Sequence, residues 1–139
     1  ESVHIINITS EIRESENLFD EELLDLPKEV ILYEINGPLF FGAARQFQET
    51  ITVNNQDKKV IIIRMRYVPM IDATGFQSLK EIIKTFKERG ILVILSGIGI
   101  DLRKSFRNNG MFEIIERKYI VPDITKAIQK AKKYLEAQS

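Results

Sequence analysis

Val60-Ile61-Ile62-Ile63-Arg64-Met65-Arg66-Tyr67, running on into Val68-Pro69-Met70-Ile71-Asp72-Ala73-Thr74-Gly75, is the stretch that sets the architecture. Its first eight residues are mostly apolar, rich in β-branched side chains and too few for a typical helix, so they predict a central strand. Alternation puts Val60, Ile62, Arg64 and Arg66 on one face and Ile61, Ile63, Met65 and Tyr67 on the other, with the second face the better buried. The next eight residues hold a proline, a helix cap in Asp72 or Thr74, and Gly75 to let the backbone turn tightly into a helix. Phe76, Leu79, Ile82, Ile83 and Phe86 then recur at helical spacing, with Lys80, Glu81, Lys84, Lys87 and Glu88 opposite and Gly90 where a C-terminal cap belongs. A buried strand that turns into an amphipathic helix is the repeating unit of a parallel sheet, because a hairpin turn cannot join parallel neighbours.

The same alternation extends in both directions. Upstream, residues 3–8 and 30–35 have strand composition, and the second strand is stopped by Asn36-Gly37-Pro38. Phe40, Ala44, Phe47 and Ile51 mark a helix over 42–53. Downstream, Ile91–Leu95 predicts a strand closed by Ser96-Gly97, and Gly99–Asn109 a helix through Leu102 and Phe106 ended by Asn109-Gly110. Ile114, Ile115 and Tyr119-Ile120-Val121 suggest a further short strand or turn. Pro122-Asp123 then opens a last helix with Ile124, Ala127, Ile128, Ala131, Tyr134 and Leu135 on one side. The order β-β-α-β-α-β-α-(β)-α predicts an α/β sandwich with a mixed, mostly parallel sheet. The 139 residues are expected to form a single domain over 1–139, with 9–27 as an acidic inter-strand loop in which Leu18-Phe19 and Leu23-Leu24 can dock as a short helical turn.

Composition removes several function classes. There is no cysteine, so disulfides, thiolate nucleophiles and Cys-ligated zinc are excluded. The single histidine, His4, has no second soft ligand or base partner nearby in sequence. No stretch approaches the roughly 18 apolar residues of a membrane span, and a soluble piece is expected. The 20 basic and 20 acidic side chains balance, but residues 1–29 hold nine acids against Arg13 and Lys28. The remainder is therefore basic, which is read as an acidic loop beside a basic body and not as a nucleic-acid surface.

Ligands of open α/β sheets favour loops that leave strand carboxyl ends and lead into helices, where backbone N–H groups are unpaired. Three loops qualify: Gly37–Gly42, Val68–Gly75 and Ser96–Asp101. The first and third make Gly37, Pro38, Gly42, Ser96, Gly97 and Gly99 candidate ligand or docking residues. In the middle loop, Asp72, Ala73, Thr74 and Gly75 are explained first by strand, turn and cap, which need nothing more; the alternative is Thr74 as a phosphoacceptor or a contact for a phosphorylated partner. Phosphate at Thr74 would be favoured by the helix dipole and opposed by Asp72. Other motifs fail: Gly97-Ile98-Gly99 lacks the last glycine of a dinucleotide fingerprint because Leu102 stands there, and no Walker-type loop exists. No nucleophile–base pair or metal cluster can be assembled, so an enzyme is not expected and no cofactor is called for.

Asp72-Ala73-Thr74-Gly75, placed between a hydrophobic strand and an amphipathic helix, resembles the Asp-Ser/Ala-Ser/Thr-Gly loop of STAS domains, a family shared by sulfate transporters and anti-sigma-factor antagonists. Gly37-Pro38-Leu39-Phe40-Phe41 is similar to the Gly-Pro-Leu-Phe-Phe segment of the SulP (sulfate permease) branch. Arg64-Met65-Arg66-Tyr67-Val68-Pro69 is similar to the Arg-Met-Arg-x-Val-Pro run of bacterial SulP proteins. The resemblance implies a non-catalytic regulatory domain joined to the transmembrane domain of the same transporter polypeptide, at the cytoplasmic face of the inner membrane and dimeric in the full-length protein. It maps the phosphorylated hydroxyl of the antagonists onto Thr74 and their first hydroxyl onto Ala73. It also raises nucleotides and cytoplasmic proteins such as acyl carrier protein as partners, which the sequence neither supports nor excludes.

Overall fold

The computed structural model describes residues 4–7, 26–53, 55 and 57–139. Five strands form one sheet in the order β1-β2-β3-β4-β5: β1 His4–Asn7, β2 Val30–Asn36, β3 Val60–Tyr67, β4 Leu92–Ser96 and β5 Ile120–Val121. β1 runs antiparallel to β2, and the other neighbours are parallel. Four α-helices, α1 Phe41–Val53, α2 Ala73–Glu88, α3 Ile100–Asn108 and α4 Ile124–Gln138, supply the crossovers and the last layer. This is the expected mixed, mostly parallel α/β sandwich. Of the expected acidic loop 9–27, only Leu26 and Pro27 lie within the described residues, so the proposed turn at Leu18-Phe19 and Leu23-Leu24 lies outside them.

Helices cover both faces, which is why β3 is apolar on both. Ile61, Ile63 and Met65 join Phe47 of α1, the α2 stripe and Phe106 of α3 in one core. There the rings of Phe76 and Phe106 meet edge to face at 5.7 Å. Val60 and Ile62, expected on the less buried face, are equally buried, in a second core with Val30, Leu32, Ile94 and the apolar side of α4. Tyr67 was expected to be inside and is half exposed. The register explains it: Glu34 pairs with Arg64 but Asn36 with Tyr67, so β3 carries one extra residue, and this bulge breaks the alternation. Phe40 is likewise exposed, because α1 begins at Phe41 and the fully buried Leu39 takes the place assigned to it.

Helix ends follow the sequence. Asp72 caps α2 and Asp123 caps α4, each side chain accepting a backbone N–H three residues on. Gly90 and Gly110, with φ of 77° and 74°, end α2 and α3 in the left-handed region that glycine adopts without strain.

Candidate functional site

The three loops singled out in the sequence all lie at the carboxyl end of the sheet, and the first two are stitched together. Gly37 N–H donates to Tyr67 O and Leu39 N–H to Met70 O, both at 3.0 Å, and Asp72 N–H donates to Leu39 O. Leu39 and Ile71 form an isolated parallel bridge. Gly75 completes the joint. Its backbone is not in the left-handed region, so it is not there for a tight turn; a Cβ at this position would overlap the Leu39 carbonyl oxygen and lie 2.7 Å from Ile71 Cγ2. Its glycine serves close approach of one loop to the other.

At the centre of this platform Asp72 Oδ1 accepts from Gly75 N–H at 2.7 Å and from Thr74 Oγ1 at 2.8 Å. Desolvation pushes the Asp72 carboxyl up, but hydrogen bonds from Gly75 N–H, Thr74 Oγ1 and Phe41 N–H outweigh it and hold the group below its ordinary value. Asp72 is therefore the structural cap, while the exposed Thr74 stands on the first turn of a 16-residue helix. A phosphoryl group on Thr74 would gain the helix dipole but lose the hydroxyl's bond to Asp72 and face its charge. Ala73 adds no polar group.

Exposed apolar side chains gather at this same end of the sheet, and the sequence reading missed them. Phe40, Phe41, Tyr67, Met70 and Ile100 are five of the six large hydrophobics exposed among the described residues; the sixth, Val53, is at the far end of α1. Phe41 is 60% and Ile100 76% exposed, which no core requirement explains. The available signal was the run Leu39-Phe40-Phe41, more apolar than one helix stripe needs.

The third loop is built differently. Ser96 is the last residue of β4 and fully buried, so it offers no surface to a docking protein. Gly97 has φ of 82°, and a Cβ there would stand 2.5 Å from Arg66 N. Gly99 precedes α3 without a side-chain cap. Gly42 has open space around it and needs no glycine for steric reasons, whereas Gly37, with φ of 113°, does. Among the described residues no group of three His, Cys, Asp or Glu stands close enough to hold a metal ion, and no helix is long and apolar enough to cross a membrane.

The profile of the STAS domain family matches residues 24–131, more than half of the chain. A sulfate transporter family protein from Wolinella succinogenes is 38% identical and superimposes with a TM-score of 0.75, over 80% of this chain and 91% of its own. The STAS domain of a SulP transporter from Vibrio cholerae is 30% identical with a TM-score of 0.72, over 84% and 95%. Sulfate transporter 4.1, chloroplastic, of Arabidopsis thaliana is 20% identical over 79% of this chain, which spans 18% of that relative's length. Anti-sigma-factor antagonists, among them one from Thermotoga maritima at 16% identity and a TM-score of 0.65, share the fold. The chain belongs to the STAS domain family. Within it, the chain sits with the STAS domains of SulP-type sulfate transporters.

Proposed function

We propose that this chain is a non-catalytic regulatory and interaction domain of a SulP-type sulfate (anion) transporter, at the cytoplasmic side of the membrane. It acts through its sheet-end platform on the transmembrane domain of the same polypeptide. The observation that carries this reading is the exposed rim of Phe40, Phe41, Tyr67 and Met70 around Thr74, an apolar surface that the fold itself does not use. Arg66, stacked at 5.2 Å over the Tyr67 ring, gives the rim a charged border of the kind that orients a partner. Sulfate uptake by the full-length transporter carrying Phe41→Asp and Met70→Asp tests it. Uptake is expected to fall severalfold with unchanged membrane abundance, and with an unchanged melting temperature of the 139-residue chain; normal uptake would refute the reading.

A second reading, an antagonist-like phosphoswitch with Thr74 as phosphoacceptor, draws on the exposure of that hydroxyl at a helix N-terminus. Phosphate incorporation by a cognate kinase that disappears in Thr74→Ala supports it, and its absence discards it.

A further inference from the structure

On the other face of the sheet from α2, a cavity of about 340 Å³ opens between the carboxyl ends of β3 and β4 and the start of α4. Arg64, Arg66, Gly97, Gly99, Asp123 and Thr125 are among the residues that line it. The geometry points to a binding site here for a doubly charged tetrahedral oxyanion, sulfate or phosphate.

Arg64 is the anchor. Its guanidinium carries five N–H donors, yet the residue is nine-tenths buried. The one hydrogen bond it makes among the described residues is from Nη1 to Glu34 Oε1 at 3.4 Å. A charge-assisted bond between well-matched partners is shorter, about 2.7–2.9 Å, so Glu34 neutralises Arg64 loosely and leaves its other N–H donors free for an acceptor in the cavity that the residue lines. Arg66, exposed and on the same side of the alternation along β3 as Arg64, lines the same cavity, and its guanidinium lies 5.2 Å over the Tyr67 ring. Two planar forks on one wall suit an oxyanion with several acceptor oxygens.

Two further features point the same way. Ser96 pairs in register with Arg64 and immediately precedes Gly97, and its Oγ is fully buried with no hydrogen-bond partner among the described residues. A buried hydroxyl without a partner is costly and rare in folded proteins. Gly99 begins α3 with no side-chain cap, so the first N–H groups of that nine-residue helix are not satisfied by a side chain. The one carboxylate among the lining residues, Asp123, is turned to its own helix: Oδ1 accepts from Lys126 N–H at 2.9 Å, and Oδ2 lies 3.6 Å from Lys126 Nζ. The cavity shares Arg66 with the border of the apolar rim but takes no residue from the Asp72–Gly75 loop, and the Phe41→Asp and Met70→Asp uptake test leaves its lining intact, so the two readings fail separately.

The test is a ¹H–¹⁵N titration of the 139-residue chain with sodium sulfate and, separately, sodium phosphate, against sodium chloride at matched ionic strength. Saturable shifts at Gly97, Gly99, Ile100 and the Arg66 side chain are expected with one or both tetrahedral anions and not with chloride; the stronger of the two identifies the ligand. Gly99→Asp places a carboxylate where a side chain meets nothing within 4 Å, and supplies a cap for α3, so it keeps the fold and weakens binding at least tenfold. Arg66→Ala has the same effect, and Arg66→Lys recovers part of the affinity. Shifts that do not saturate, that chloride reproduces, that map to the α4 lysines, or that both variants leave unchanged would overturn the site.

Discussion

Along β3, Ile61, Ile63 and Met65 face three helices and are fully buried, whereas Val60 and Ile62 face α4 alone and are followed on that side by Arg64. The same change of character crosses the sheet. Leu32, Ile62 and Ile94 form an apolar row under α4, and the next row toward the carboxyl end is Glu34, Arg64 and Ser96. On the face under α1–α3 the apolar contacts continue to Leu39 and Val68 beyond the strand ends. The difference separates two jobs: one face supplies stability over its whole length, and the other holds its stability in its lower half and keeps polar groups at its rim.

Removing a large side chain from the three-helix face gives the largest effect. Phe86→Ala empties a fully buried site and is expected to cost about 3–5 kcal/mol, read as a lower urea midpoint with unchanged slope. On the α4 face, Arg64→Met leaves Glu34 buried without its counter-charge and is expected to cost about 3 kcal/mol, at the low end for a broken buried pair because the contact is long. The double variant Glu34→Leu, Arg64→Met is expected to recover most of that loss. If the double variant is as unstable as the single one, the polar rim is structural and the contrast between the faces fails.

The smallest effect lies at the platform. Asp72→Ala removes the cap of α2 and is expected to cost about 1 kcal/mol. Because the folded state holds the Asp72 carboxyl below its ordinary value of 3.8, its contribution is present above that pH and is lost as pH falls through the lower, folded value. Asp72→Asn should therefore flatten the acid limb of a stability–pH curve and leave neutral stability lowered but level.

The strand and helix order was legible because β3 and α2 each announce themselves through period and length, and because Asn36-Gly37-Pro38 and Asn109-Gly110 are strong stops. The bulge was not legible: an extra residue shows only when β3 is set against β2, and it moved Tyr67 to the surface. Nor was the reason for Gly75, since the atom that excludes a side chain there belongs to Leu39, 36 positions away in the chain. The loop 68–75 was found as a candidate site from local sequence alone. The apolar rim and the cavity were not, because each gathers residues from several loops that only the folded sheet brings to one end.

That contact between Leu39 and Gly75 also has a mechanical consequence. With the carbonyl of one loop lodged against bare backbone of the other, the two segments are fastened into one plate. Phe40 and Phe41 are thus tied through Leu39 to the first turn of α2, and any side chain at position 75 would have to pry that joint open.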